Sequence, residues 1–255
     1  MQGFYNGIRQ SGTGTRKPRG RYARIVPFAQ ANFCYLLMIP KLVLASNSPR
    51  RKELLALGGQ AFEVKPAEVN EDPQPGEQPI DYVQRLAGEK AQKAATGLEP
   101  DALVLAADTT VVCQGRIVGK PKDADEARAM LKALRGQTHI VYTAISVRTS
   151  AGVQLNDLAT TQVPMRAYSD EEIEAYVASG DPLDKAGAYA IQHAGFHPVA
   201  SMQGCLANVV GLPLCHLKRT LMKSNLSFDA DLPSACQAHF AYDCPVTGDI
   251  LAWRQ

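Results

Sequence analysis

From residue 41 onwards, short apolar runs alternate along the chain with segments whose apolar residues recur at helical spacing. Short apolar runs bounded by turn residues predict strands, whereas repeats at every third or fourth position predict amphipathic helices. Their alternation predicts an α/β fold with helices flanking a sheet. The predicted strands span residues 42–45, 61–65, 102–107, 109–112, 117–118, 139–148 and 154–167, and the predicted helices span 48–57, 80–95, 123–134, 169–179 and 214–223.

Local signals mark the ends of several predicted helices. Ser48 is placed to cap its helix, Pro49 suits the first helical position, and a Gly-Gly pair ends the helix. Ser169, with Glu172 three residues later, has the pattern of a capping box. The helix at 214–223 is predicted to be the last of the chain, because clear periodicity is lost after it.

The composition is that of an ordinary globular protein, with 45% hydrophobic and 20% charged residues among 255, so a sizeable core is expected. The net charge of +2 is unevenly distributed. Residues 1–40 hold six basic residues and no acidic one, which leaves 21 basic against 25 acidic residues, a charge of −4, in the rest. A nucleic-acid-binding domain presents a basic stripe on its folded body, so stable nucleic-acid binding is not expected.

Residues 1–37 are interpreted as a basic, disordered extension, followed by a domain at residues 38–224 and a C-terminal tail of unknown role at 225–255. An organellar transit peptide is the alternative for the extension, because such segments are basic and poor in acids. A secretory signal is disfavoured, because no convincing small-residue cleavage site follows the short apolar run. No apolar stretch reaches the about 20 residues that span a bilayer, so a cytoplasmic protein without a membrane span is predicted.

Six cysteines are scattered along the chain without a Cys-x-x-Cys pair, at positions 34, 113, 205, 215, 236 and 244. This spacing fits neither a zinc ribbon nor a dense disulfide framework. A partial metal cluster of Cys236, His239 and Cys244 is an alternative, but the pattern supplies no evident fourth ligand. We expect ordinary thiols in a reducing cytosol.

Polar clusters interrupt the apolar pattern where strands are predicted to end, which is where α/β folds place ligands. The first cluster, residues 45–51, joins a helix N-terminus to Arg50 and Arg51. Free backbone N–H groups, the helix dipole and two guanidinium groups all favour a phosphate. A capped helix with two solvated arginines explains the same pattern and is the alternative.

Two further clusters add a carboxylate and a lysine. Asp108 lies at the end of an apolar run, and a buried carboxylate needs a cation or a donor. A divalent metal satisfies that need in a phosphate enzyme, whereas a turn or capping aspartate is the alternative. Lys120, between Gly119 and Pro121, either reaches a phosphate or is a surface lysine. No P-loop, Rossmann fingerprint or Gly-x-Ser-x-Gly elbow is present, so the residues indicate a phosphate-handling α/β enzyme.

Longer motifs, in a fixed order over about residues 40–223, resemble those of the Maf family. The match opens with Leu44-Ala45-Ser46-Asn47-Ser48-Pro49-Arg50-Arg51. The further matching motifs are Arg85-Leu86-Ala87, Glu89-Lys90-Ala91, Ala107-Asp108-Thr109, Gly119-Lys120-Pro121, Gly136-Gln137-Thr138-His139, Tyr176-Val177, Asp184-Lys185-Ala186-Gly187-Ala188-Tyr189, Ile191-Gln192 and Asn208-Val209-Val210-Gly211-Leu212-Pro213.

The resemblance implies a mixed α/β fold with two lobes around a cleft, related to the inosine-triphosphate pyrophosphatases, and usually a homodimer. It also implies hydrolysis of a nucleoside triphosphate between its α- and β-phosphates with Mg²⁺ or Mn²⁺. At the matching positions, Glu71 and Asp108 are expected to hold the metal, and Asp108 to act on the attacking water. Glu68 or Asp72 could substitute for Glu71. The residues expected to bind the substrate are Ser46, Arg50, Arg51, Lys90, Lys120 and, at the nucleotide end, Gln192.

Within the family, local motifs indicate the substrate. The segment 48–51 lacks the tryptophan of the branch associated with 7-methyl-GTP, and the segments 184–187 and 191–192 resemble the branch acting on dTTP, UTP and modified pyrimidine nucleotides. The sequence of residues 193–198 departs from the glycine-rich turn expected there, and we interpret it as a loop variant. The predicted substrate is therefore dTTP or UTP.

Other functions remain as alternatives. Maf proteins are also associated with the arrest of septum formation, so a regulator of cell division that acts by partner binding is the alternative from another class. A Maf enzyme acting on 7-methyl-GTP and an unrelated phosphatase releasing inorganic phosphate are the others. A regulator does not need a charged cleft, so the presence of Asp108, Lys90 and Lys120 favours the enzyme.

Overall fold

A computed structural model describes residues 41–99, 101–149 and 152–252, so the predicted extension at 1–37 lies outside the described residues. A six-stranded sheet with flanking helices forms the described part. Its elements are β1 (Leu42–Leu44), α1 (Pro49–Ala56), β2 (Phe62–Val64), α2 (Pro79–Ala95), β3 (Leu103–Cys113), β4 (Arg116–Val118), α3 (Ala124–Leu134), β5 (Thr138–Thr149), β6 (Gln154–Pro164), α4 (Asp170–Ala178), α5 (Leu206–Val210), α6 (Leu214–Met222), α7 (Leu232–Phe240) and α8 (Thr247–Ala252).

The α/β fold with flanking helices is as predicted, and its sheet combines parallel and antiparallel strands. Its strand order is β2-β1-β3-β5-β6, and β4 pairs with β3. Strands β2, β1 and β3 run parallel, whereas β3 pairs antiparallel with β4 and β5, and β5 antiparallel with β6. The parallel part is reached through the crossover helices α1 and α2, and the antiparallel part consists of long neighbouring strands.

One strand replaces the two predicted at 102–107 and 109–112. Strand β3 is continuous, because β5 pairs with it residue by residue from Leu103 to Val112. Asp108 therefore lies in the middle of a strand and not at its end, contrary to the sequence prediction. The pairing of β1 with β3 stops at Leu105. Asp108 consequently stands beyond the carboxyl end of β1, at the edge where α/β sheets bind ligands.

The first core lies on both faces of β1 and the adjoining half of β3. Alternate strand residues, such as Leu44 and Leu105, pack on one side with leucines of α1 and α6. Their neighbours Val43 and Val104 pack on the other side with alanines of α2. This alternation follows from the two-residue period of a strand.

The second core surrounds the other half of the long strands. Val111 of β3 and Val141 of β5 pack there with Leu131 of α3 and Ile173 of α4. Because β3 and β5 run through both cores, they connect the two lobes that the family resemblance predicts. Ile191 packs against both cores.

The segment after residue 224 is helical, so the prediction that 214–223 is the last helix is wrong. Helices α7 and α8 follow α6, and the short α5 precedes it. Leu232 of α7 is buried in the first core, and Phe240 and Val246 pack against that core. The apolar residues of α7 follow a helical repeat less clearly than those of the equally long α6, and α8 has only six residues.

The cysteines within the described ranges are all free, as expected. Over the same ranges, no group of three or more histidine, cysteine or acidic side chains could hold a metal ion. The Nε2 atom of His239 lies 3.6 Å from Glu53 Oε1. The alternative metal cluster of Cys236, His239 and Cys244 is therefore not formed.

Across residues 41–99, 101–149 and 152–252, every helix is too short or too polar to cross a bilayer.

The burial of Leu232 predicts that the segment after residue 224 stabilises the domain. Leu232→Ala, at a side chain that is 1% exposed, is expected to lower the free energy of unfolding by about 2–5 kcal/mol. Leu183→Ala is the matched control, because Leu183 is 43% exposed and its truncation is expected to change that energy by about 0.5 kcal/mol or less. Urea unfolding of both variants measures the difference, and equal midpoints would contradict the packing described for α7.

Candidate active site

A cleft of about 790 Å³ opens beyond the carboxyl end of β1, between the two cores. Its volume lies within the range of small-molecule sites. Most of the lining comes from three stretches that are distant in sequence: residues 45–51 at the start of α1, residues 66–71 in the loop before α2, and residues 184–192. Both polar side chains and apolar groups such as Val111 and Ile191 face it.

Ser46 and Ser48 organise the wall formed by the start of α1. The Ser48 side chain accepts a hydrogen bond from the Arg51 N–H at 3.4 Å and caps the helix, as predicted. The Oγ atom of Ser46 accepts from the Ser48 N–H at 3.2 Å and from Arg51 Nη1 at 3.3 Å. Since both bonds to described residues use Ser46 as an acceptor, its hydroxyl hydrogen is available there for a ligand oxygen.

Arg51 is held by the protein itself. Its Nε donates to the Gly211 carbonyl at 2.9 Å, and Nη2 donates to Thr109 Oγ1 at 3.1 Å. Burial lowers the pKa of the Arg51 guanidinium, and the charge of Asp108 partly offsets that effect. A guanidinium stays charged in proteins. Arg51 therefore contributes a positive charge that is held in place by Ser46, Thr109 and the Gly211 carbonyl.

A relay of hydroxyl groups continues from Arg51 into the sheet. Thr109 Oγ1 and Thr143 Oγ1 lie 2.9 Å apart, and Thr143 Oγ1 donates to the Asn208 carbonyl at 2.9 Å. Thr143 thus accepts from Thr109, since its single hydrogen goes to Asn208. The relay joins α1, β3, β5 and α5 behind the cleft.

Lys90 bridges two carboxylates at the base of the site. Its Nζ lies 2.6 Å from Glu71 Oε1 and 2.6 Å from Asp108 Oδ1. Lys90 and Asp108 are only 8% and 7% exposed. Buried charges are tolerated when they are paired, so each of these two groups depends on the other.

The two carboxylates differ in pKa. Burial raises the pKa of Asp108, against the opposing charges of Lys90 and Arg51. Burial acts in the same direction on Glu71, but the Lys90 hydrogen bond, with the charges of Lys90, Lys120 and Arg51, outweighs it and lowers the pKa of Glu71. Burial therefore prevails at Asp108, whereas the neighbouring positive charges prevail at Glu71.

These carboxylates fit a divalent metal of the Mg²⁺ type. Lys90 contacts one oxygen of each, and Mg²⁺ is typically bound by one or two carboxylates together with substrate phosphates. The structure supplies no third acidic, histidine or cysteine ligand nearby within its described ranges. The donor set is thus suited to a metal that arrives with a phosphate and not to a permanent protein cage.

The structure brings the predicted site residues together around this cleft. Glu71, rather than the alternatives Glu68 or Asp72, contacts Lys90. Glu68 faces the cleft without that contact, and the carbonyl of Asp72 accepts from Arg85 instead. The predicted residues that line the cleft are Ser46, Arg50, Arg51, Glu71, Lys90, Lys120 and Gln192, and Asp108 joins them through Lys90.

Sequence reasoning missed several groups of the site. Thr109 and the Gly211 carbonyl hold Arg51, and Tyr189 lines the cleft. Lys185, which also lines it, is 8% exposed and bonds to Asp181 and Asp184. The motifs shared with the Maf family contain Thr109, Lys185 and Tyr189. Their place in these motifs could have identified them as site residues. Nothing in a sequence marks a backbone carbonyl as a partner of a distant arginine.

Sequence comparisons identify a family whose model matches this chain and known proteins that are similar to it. The sequence model of the family described as Maf-like protein matches residues 41–224. The dTTP/UTP pyrophosphatase of Anaeromyxobacter dehalogenans (strain 2CP-1) is 49% identical over 199 residues, covering 77% of this chain and 100% of that protein. The dTTP/UTP pyrophosphatase of Geobacter sp. (strain M21) is 51% identical over 178 residues, covering 69% of this chain and 91% of that protein.

Among solved structures, the Ham1 protein of Staphylococcus aureus is similar with a TM-score of 0.40 and 15% identity, over 79% of this chain and 98% of that chain. The family match spans most of the chain, and the two pyrophosphatases match it over nearly their whole lengths. This chain therefore belongs to the Maf-like protein family.

Proposed function

We propose that this chain hydrolyses dTTP and UTP to the nucleoside monophosphate and pyrophosphate, with a divalent metal. The names of the relatives at 49% and 51% identity support this substrate class. The observation that carries the proposal is the Lys90 bridge between Glu71 and Asp108, beside Arg51, in a cleft wide enough for a nucleotide. Positively charged side chains can bind phosphate oxygens, and the carboxylates between them can bind the metal that accompanies a polyphosphate.

The triphosphate is proposed to lie along the wall at the start of α1. Ser46 donates its remaining hydroxyl hydrogen to a phosphate oxygen, and Arg50 and Lys120 supply further charge from the lining. Arg51 has three of its five N–H groups bound to the protein, so its contribution is mainly a fixed positive charge. Pyrophosphate departs with increasing negative charge, which these groups stabilise.

Asp108 is proposed to receive a proton from the attacking water. Its carboxylate is the candidate base because burial raises its pKa against the charges of Lys90 and Arg51. Lys90 fixes the orientation of the carboxylate by binding Oδ1. Glu71 and Asp108 together would hold Mg²⁺ or Mn²⁺, which when bound neutralises phosphate charge and lowers the pKa of water.

The nucleoside is proposed to lie at the end of the cleft lined by Tyr189, Ile191 and Gln192. Tyr189 and Ile191 supply apolar surface, and the Gln192 amide both donates and accepts hydrogen bonds, as recognition of a uracil or thymine edge requires. The homodimer, the cytoplasmic location and the lack of stable nucleic-acid binding stay predictions from the sequence.

A product assay tests the reaction. With Mg²⁺ or Mn²⁺, the purified chain is expected to release pyrophosphate and the monophosphate faster from dTTP and UTP than from CTP or 7-methyl-GTP. Chromatography of the nucleotides together with separate assays for pyrophosphate and phosphate identifies the products. Release of inorganic phosphate with a diphosphate would refute the proposed bond cleavage, and preference for 7-methyl-GTP would refute the substrate assignment.

The role of Asp108 predicts a loss of turnover in Asp108→Asn. The amide keeps the shape of the side chain but removes the base, so kcat is expected to fall by about 100-fold or more. Asp81→Asn is the matched control, because Asp81 is an exposed residue of the first turn of α2. Steady-state kinetics of the folded variants provides the comparison. An Asp108→Asn enzyme within about threefold of the control would exclude general-base catalysis by this residue.

A further inference from the structure

Four cysteines meet outside the cleft, where the segment after residue 224 packs on the domain. Cys205 precedes α5 and Cys215 lies in α6, whereas Cys236 lies in α7 and Cys244 precedes α8. All four line one cavity of about 10 Å³. The family match ends at residue 224, so the cluster joins two cysteines of the matched domain to two that follow it.

Two of the four cysteines, Cys205 and Cys244, lie on segments that contact each other beside this cavity. Cys244 Sγ donates to the Gly204 carbonyl oxygen at 3.9 Å, and Gly204 directly precedes Cys205 in the chain. The cavity holds at most about one water, so the cluster has no room for an organic ligand, and it does not form a metal site in the described ranges.

The environments of the two partner thiols differ. Cys205 is 5% exposed, whereas Cys244 is partly accessible. The neighbouring Cys205 thiol, followed by donors from Thr247 and the Val246 backbone, lowers the pKa of Cys244 against the effect of its burial. The proximity of Cys244, together with burial, raises the pKa of Cys205. A partly accessible cysteine next to a buried thiol is the arrangement of a reactive cysteine and its resolving partner.

We propose that Cys244 is a peroxide-reactive thiol and that Cys205 resolves its oxidation by forming a disulfide. The Cys244 thiolate attacks an oxygen of hydrogen peroxide, the O–O bond breaks, and the departing hydroxide takes up a proton to give water. The Cys205 sulfur then attacks the sulfenic sulfur of Cys244, whose hydroxyl leaves as water with the Cys205 proton. Two thiols and one peroxide thereby give one disulfide and two waters.

The position of Cys205 gives this bond a structural consequence. Helix α5 begins directly after Cys205, and Gly211 at its end accepts the Arg51 hydrogen bond. The disulfide would fix the start of α5 to the segment after α7. Closing the loop between the two cysteines restricts the unfolded chain, so the oxidised protein is expected to melt about 5 °C or more above the reduced protein.

The experiment treats the reduced full-length chain with hydrogen peroxide and maps the products by mass spectrometry. The expected product has lost two hydrogens and contains a Cys205–Cys244 linked peptide. In Cys205→Ser the sulfenic acid on Cys244 is expected to persist and react with a dimedone-type probe, whereas Cys244→Ser is expected to give neither probe adduct nor disulfide at this site. Cys113→Ser is the control, because Cys113 lies on β3 outside the cluster, and it is expected to form the disulfide as the unmodified chain does.

A second measurement does not depend on the folding of any variant. Alkylation of the reduced native chain by iodoacetamide at pH 6 is expected to modify Cys244 at least about tenfold faster than Cys113. Slower modification of Cys244 than of Cys113 would overturn its assignment as the reactive thiol. A disulfide from Cys244 to Cys215 or Cys236, in place of Cys205, would overturn the assignment of the resolving partner.

Discussion

The Lys90–Asp108 ion pair is the interaction on which the cleft depends. Each of these two charges is almost fully buried, and either one alone would be costly at that depth. The fold supplies the pair by ending β1 early while β3 continues, so that Asp108 is presented beyond β1 and faces the side of the sheet covered by α2. Glu71 completes the bridge from a loop. A substrate phosphate and its metal would therefore meet a site whose charges are already held in position.

Arg51 connects this charge cluster to the rest of the domain. Its guanidinium contacts the loop of Ser46, Thr109 of β3 and the carbonyl of Gly211. The relay through Thr109 and Thr143 reaches α5, which the Asn208 amide in turn fixes to β5 and β6. Such a network holds each donor in place before the substrate arrives, which is the condition for electrostatic stabilisation of a transition state.

The sequence predicted a structural feature correctly where the interaction joins residues that are close together in the chain. Ser48 and the Ser169–Glu172 capping box act within one turn of their own helices, and both were predicted correctly. The polar residue Asp108 suggested a strand end, but strand continuity is decided by the pairing partner β5, which a local pattern does not show. The Arg51–Gly211 bond joins residues 160 positions apart, and the apolar residues of α7 and α8 give no clear helical repeat.

The most direct test of the proposed chemistry is turnover of dTTP in water enriched in oxygen-18, followed by mass spectrometry of both products. In the proposed reaction, water activated by Asp108 attacks the α-phosphorus and pyrophosphate leaves. The label is therefore expected in the monophosphate. Label found in pyrophosphate would mean attack at the β-phosphorus, and it would contradict the account of how this cleft is used.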